Sequence, residues 1–179
     1  LSENRPEWTV TDFACLAIGA VVVPIYATLT DRQTASLLRD AGVRAIAVSD
    51  QKQLDKVLCV REQTFLERIL IMDHVESAQA YPIHRLMLQG PQQRDAEFEM
   101  RARSIGPEDL ATIIYTSGTT GDSKGVMLTH GNMASNIECS LSEFGVGEGE
   151  TSISFLPLSH VTARHVDFAM LYHGVTLAY

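Results

Sequence analysis

An α/β fold, a mostly parallel sheet flanked by helices on both faces, is what this sequence predicts, and three features predict it. Apolar runs of strand length, Val21–Val23, Val43–Val48 and Arg68–Met72, alternate with segments whose apolar residues recur at helical spacing. The run Val43–Val48 is almost continuously apolar, the pattern of a parallel strand covered on both faces. The helical segments open on capping residues and close on glycine.

In chain order, Asn4 is expected to cap a first helix, with Pro6 in its first turn, Glu7 three residues on, and Val10, Phe13, Ala14 and Ala17 as its apolar stripe. Val21–Val23 follows as a short buried strand. Thr30 and Gln33 form a capping box for a second helix with Leu37, Leu38 and Ala41 on its apolar face, and Gly42 ends it. Strands are expected at Val43–Val48 and Arg68–Met72, with a helix over Gln51–Val60 between them. Asp73–Gly90 has no clear period and reads as a surface excursion. A polar helix over Pro91–Ser104 is broken by Gly106-Pro107 before the strand Leu110–Tyr115. Beyond Val126–Leu128, also a strand, Thr129 and Asn132 open a helix with Met133, Ala134, Ile137, Leu141 and Phe144 on one face. The run Gly145–Glu150 is the expected boundary, giving 1–147 as a first α/β subdomain and 148–179 as the start of a second, a strand, helix and strand.

The chain has 179 residues, enough for one moderate domain, and 14 Lys and Arg against 22 Asp and Glu give a net charge of −8. That balance argues against nucleic acid, which requires a basic face. It leaves ATP open, because a few local donors outweigh a distant field at cellular salt. Cys15, Cys59 and Cys139 are widely spaced and odd in number, so the expectation is a reducing, cytoplasmic setting without structural zinc. The apolar run Phe13–Ala27 is too short to span a bilayer and carries Gly19 and Pro24. No signal peptide is expected. Leu1 and the apolar end at Tyr179 are read as those of a piece of a longer protein.

The chemistry concentrates in Thr116-Ser117-Gly118-Thr119-Thr120-Gly121-Asp122-Ser123-Lys124-Gly125, set between two strands. Its glycines can take positive φ and let backbone N–H groups converge on an anion. The hydroxyls of Thr116, Ser117, Thr119 and Thr120 add donors, and Lys124 adds a compact charge for phosphate oxygens. The spacing is not that of a Walker A loop, since Ser123 stands where its second glycine belongs. Gly121-Asp122-Ser123-Lys124-Gly125 does match G-x-S-x-G, the nucleophile elbow of serine hydrolases, but an elbow turns from strand straight into helix, and here a strand follows. A plain flexible connector is the remaining alternative.

Tyr115-Thr116-Ser117-Gly118-Thr119-Thr120-Gly121 through Lys124-Gly125-Val126-Met127-Leu128-Thr129-His130 resembles the signature loop of the adenylate-forming enzymes, with Ser123 in place of the usual proline. Phe155-Leu156-Pro157-Leu158-Ser159-His160-Val161 resembles the segment beside the acyl substrate in that superfamily, in the form found in long-chain fatty acyl-CoA synthetases. Ser2-Glu3-Asn4-Arg5-Pro6-Glu7-Trp8 and Val23-Pro24-Ile25-Tyr26 are similar to the start of the same group.

The resemblance implies an incomplete part of the large N-terminal domain of such an enzyme. It implies activation of a long-chain fatty acid with ATP and Mg²⁺ to an acyl adenylate, then transfer to coenzyme A. It places Thr116, Ser117, Gly118, Thr119, Thr120, Gly121 and Lys124 at the β- and γ-phosphates, the Thr116 hydroxyl also at Mg²⁺, and His160 beside the carboxylate and α-phosphate. Taken alone, His160 also reads as a helix cap, and Arg164 as a solvated arginine. The Tyr-Gly-x-Thr-Glu and Tyr-Gly-Thr-Gly-Asp segments of the superfamily are not found in these 179 residues, so the chain alone is expected to be inactive. A non-catalytic nucleotide-binding module stays open as an alternative, as do peripheral membrane contact, chain length and oligomeric state.

Overall fold

A computed structural model describes residues 1–90, 95–117, 123–140 and 145–179, and these group into two compact units. The first comprises Leu1–Glu3 and Ile25–Glu99, the second Asn4–Pro24 and Met100–Tyr179.

In the first unit, α2 (Asp31–Asp40) begins at the expected capping box. The Gln33 N–H donates to Thr30 Oγ1, while the Thr30 N–H donates to Gln33 Oε1 at 3.0 Å. Gly42, at φ +61°, takes the left-handed conformation that ends the helix. Leu37 and Leu38 are buried. α3 (Gln51–Val60) is capped by Asp50, whose Oδ1 accepts the Gln53 N–H at 2.9 Å. The strands β1 (Ala45–Val48) and β2 (Arg68–Ile71) pair in parallel, Ala45 opposite Arg68 and Val48 opposite Ile71.

Two expectations change here. β1 buries alternate residues, Ile46 and Val48, with Ala45 exposed and Ala47 half-buried, so among the described residues its second face is covered only in part. The expected surface excursion contains β3 (Tyr81–Pro82), added in parallel to β2, and α4 (Ile83–Gln89). Ile83 is the only buried residue of α4, too little for a legible period. A further helix, α5 (Ala96–Ser104), opens on Asp95, whose Oδ1 accepts the Phe98 N–H; residues 91–94, assigned from sequence to the same helix, lie outside the described residues.

In the second unit, α1 (Pro6–Ala17) starts after Arg5, not Asn4, and buries Trp8, Thr9 and Asp12. The predicted stripe is displaced: Val10 and Phe13 are exposed. A buried ion pair described below turns the polar side of α1 inward. Val21–Val23 is not a buried strand; Val22 makes a single parallel bridge to Thr112, and Val21 is exposed.

The strands β4 (Leu110–Ser117) and β5 (Ser123–Thr129) form an antiparallel hairpin from Leu110 opposite Thr129 to Ser117 opposite Ser123, with a register irregularity around Ala111. At its base, α6 (His130–Ser140) opens with a reciprocal pair: the Thr129 N–H donates to Asn132 Oδ1 at 3.0 Å and the Asn132 N–H to Thr129 Oγ1 at 3.2 Å. Met133 and Ile137 are half-buried and Ala134 exposed, while Leu141 and Phe144 of the expected stripe lie outside the described residues. Last come β6 (Thr151–Ile153), α7 (Val161–Tyr172) and β7 (Thr176–Ala178), a βαβ unit whose strands pair in parallel, as the sequence predicts. α7 starts only at Val161, after Pro157 to His160 form a turn closed by a 2.9 Å bond from the His160 N–H to the Pro157 carbonyl. Among the described residues no helix is long and apolar enough to cross a membrane.

Candidate active site

The hairpin sets the first part of the site. Thr116 lies directly opposite Lys124, and cross-strand partners project to the same face, so a hydroxyl and an ammonium are delivered together at the tip. Both residues are exposed. Ser117 is the last described residue of β4; Gly118, Thr119, Thr120 and Gly121 of the predicted phosphate loop lie outside the described residues. Ser123 opens β5, and the chain after it is strand, not the helix that an elbow requires. Gly125 faces Tyr115, and a Cβ there would stand 2.8 Å from Ile113 Cγ2 and 3.3 Å from the Tyr115 ring. Any side chain at 125 would therefore have to displace the Ile113 and Tyr115 side chains below the tip.

The strand that carries Thr116 is anchored at its other end by a polar cluster that sequence reasoning missed. Arg164, on α7, is 1% exposed and not the solvated arginine expected. Its Nε and Nη2 donate to the two carboxylate oxygens of Asp12 at 2.7 Å each, and its Nη1 donates to Thr112 Oγ1 at 2.8 Å. The Thr112 hydroxyl in turn donates to the Val22 carbonyl at 2.6 Å. The guanidinium lies 5.9 Å from the Trp8 ring and 5.3 Å from that of Phe168, within cation–π range. Burial pushes the Asp12 carboxyl up, while the charge and hydrogen bonds of Arg164 pull it back. Both its oxygens accept hydrogen bonds, which is the pattern of an ionised carboxylate. One side-chain cluster thus ties α1, β4 and α7 together.

His160 stands at the start of α7. It is exposed and its Nδ1 accepts the Thr162 N–H at 3.2 Å, so it caps the helix. His165, five residues on, is half-buried and bonds through Nε2 to Ser140 Oγ of α6; burial lowers its pKa. A cavity of about 630 Å³ opens beside it, walled by Ile114, Leu128, Ile137, Val161 and Phe168, with Arg164 among its lining residues.

The likeness to known proteins covers the whole chain. A family model described as AMP-binding enzyme matches residues 1–179. The chain is 30% identical to long-chain-fatty-acid–CoA ligase 1 of Homo sapiens, over 99% of its own length and 27% of that protein. It is 33% identical to the peroxisomal long chain acyl-CoA synthetase 7 of Arabidopsis thaliana, over 98% of its length and 26% of that protein. Among solved structures, an anthranilate CoA ligase in complex with anthranoyl-AMP superposes at a TM-score of 0.87 with 21% identity, matching 100% of this chain and 34% of that one. A long-chain-fatty-acid–CoA ligase of Archaeoglobus fulgidus superposes at 0.83 with 24% identity, over 98% of this chain and 33% of that one. The chain thus spans roughly a quarter of the length of these curated relatives.

Proposed function

The chain belongs to the AMP-binding enzyme family, and from that premise we propose that it carries the ATP phosphate-binding part of a longer long-chain fatty acid–CoA ligase. The observation that carries the reading is the hairpin, which presents Thr116 and Lys124 on one face at the two ends of a Gly- and Thr-rich loop.

In this reading the fatty acid carboxylate attacks the α-phosphorus of ATP, the bond to the β-phosphate oxygen breaks, and pyrophosphate leaves. The thiol of coenzyme A then attacks the acyl carbonyl and AMP departs. A carboxylate with a reference pKa of about 4 is ionised at pH 7, so the first step needs no general base. It needs alignment and neutralised charge at the phosphates. Lys124, the hydroxyls of Thr116, Ser117, Thr119 and Thr120, and the backbone of Gly118 and Gly121 serve the β- and γ-phosphates. The exposed hydroxyl of Thr116 is a hard oxygen donor of the kind Mg²⁺ takes. The ion would supply charge neutralisation there. His160 adjoins the carboxylate and α-phosphate from the start of α7. The apolar part of the 630 Å³ cavity wall, Ile114, Leu128, Met133, Ile137, Val161 and Phe168, suits an alkyl chain, with Asn132, Ser135, Asn136 and Thr162 among the polar rest.

Because the curated relatives are three to four times longer, the isolated 179 residues are expected to bind without turning over. The test is acid-dependent exchange of labelled pyrophosphate into ATP by the full-length enzyme. Exchange that needs a long-chain acid supports the reading. No exchange with any member of a broad carboxylate panel would leave a nucleotide-binding module without chemistry.

A further inference from the structure

Asn4 is assigned no task above, and the helix it was expected to cap does not use it. Its amide sits against Ser154–Leu158, the segment that leads to His160. Nδ2 donates to the Ser154 carbonyl at 3.1 Å, to Ser154 Oγ at 3.1 Å and to the Leu156 carbonyl at 2.7 Å. Oδ1 accepts the Leu158 N–H at 3.0 Å. Backbone acceptors on one side and a backbone donor on the other fix which end of the amide faces which way. Only the amides of Asn and Gln set a two-hydrogen donor and a separate acceptor oxygen on one carbon, and Gln is longer by a methylene.

The segment so gripped is the mount of His160. Ser154 Oγ donates to Asp167 Oδ2 at 2.6 Å, which ties the start of the segment to α7. Leu158 and Ser159 are 2% and 4% exposed, while the His160 ring projects outward with the Thr162 N–H as its bond. An exposed ring on a turn is placed by whatever fixes the turn, and three of the six residues before it, Ser154, Leu156 and Leu158, are held by Asn4.

We infer that Asn4 is a positioning residue for His160: its side-chain amide clamps the Ser154–Leu158 segment and so sets where the imidazole stands relative to the reacting carboxylate and phosphate. This rests on the proposed place of His160 in adenylation. The physical reason for such a clamp is that displacement of a reacting or stabilising group by about 1 Å costs on the order of 100-fold in rate.

The experiment is a double-mutant cycle in the full-length enzyme, read by long-chain-acid-dependent pyrophosphate exchange for wild type, Asn4→Ala, His160→Ala and the pair. Asn4→Ala is expected to lower kcat by about 10- to 100-fold with KM for ATP changed less than about threefold, since the Lys124 hairpin is untouched. In the His160→Ala background the same change is expected to add almost nothing, because the group it positions is gone. Asn4→Asp keeps the volume and the acceptor for Leu158 but turns acceptors toward the Ser154 and Leu156 carbonyls; it is expected to lose as much as Asn4→Ala. Full additivity of Asn4→Ala with His160→Ala would overturn the inference, as would wild-type kcat in Asn4→Asp or a loss confined to KM for ATP. If His160→Ala alone leaves exchange unchanged, the place given to His160 fails, and the clamp falls with it. If His160→Ala is impaired and both Asn4 variants are not, only the clamp fails.

Discussion

Replacing Arg164 with methionine keeps an unbranched side chain between Trp8 and Phe168 and removes the guanidinium. Asp12 is 3% exposed and would lose both of its 2.7 Å donors, and Thr112 the 2.8 Å donor it shares with them. A stranded carboxylate in that position has one escape, protonation. From a reference pKa of about 3.9, protonation at pH 7 costs about 4 kcal/mol, which sets a ceiling on the damage. Removal of one partner of a buried pair costs about 3–5 kcal/mol, in agreement with that ceiling. With a urea slope of about 2 kcal/mol/M, the unfolding midpoint should fall by roughly 1.5–2 M. The assay is hydrogen exchange under increasing urea in the full-length enzyme, followed on peptides covering residues 6–17 and 161–172. The paired variant Asp12→Leu with Arg164→Met removes both charges, and its stability should lie within about 1 kcal/mol of wild type or above it. A single variant that costs under about 1 kcal/mol, or a paired variant as damaged as the single one, would refute the view that Arg164 compensates a buried charge.

Three further outcomes are expected elsewhere in the chain. Gly131→Ala should lower the thermal midpoint, because its Cβ would stand 2.9 Å from the Pro107 carbonyl oxygen; overpacking of about 1–3 kcal/mol exceeds the roughly 1 kcal/mol gained in helix propensity, and an unchanged or raised midpoint would contradict this. Burial lowers the His165 pKa, so as pH falls the unfolded chain takes up that proton first. Its contribution to stability is complete above about pH 6.5 and is lost as pH falls through the lowered folded value, so His165→Gln should flatten the decline in thermal midpoint between pH 7.5 and 5.5. An equal decline in both proteins would show that His165 is not its source. Ser123→Ala should leave acid-dependent exchange within about twofold of wild type and remove no labelling by a fluorophosphonate probe, whereas a Ser123 nucleophile would lose both.

What the sequence made legible was whatever depends on neighbours in the chain. Thr30 with Gln33 and the glycine stop at Gly42 follow from local capping and stand where predicted, and the two strands beside the loop are found too, but they run further into it, to Ser117 and from Ser123. The misses share a cause in contacts across long separations. Asn4 has the right type and spacing for a cap, but partners about 150 residues away bind its amide. Asp12 and Arg164 are each unremarkable as single charges, and only the fold makes them a buried pair. That pair also explains why the helical stripe of Val10 and Phe13 misjudged the buried face of α1. For the candidate site, Thr116 and Lys124 were legible as donors suited to phosphate, which is the reading proposed above. The opposition of Thr116 and Lys124 became visible only through the strand register.

The most direct measurement of the central claim is pyrophosphate exchange by the full-length enzyme as a function of ATP concentration, with and without a long-chain acid, beside its Lys124→Ala variant. Exchange is expected to require the acid and to fall in the variant by about 30-fold or more in kcat/KM for ATP, the equivalent of about 2 kcal/mol for one charge-assisted phosphate contact. Equal kcat/KM in wild type and variant would contradict the placing of the ATP phosphates at this hairpin.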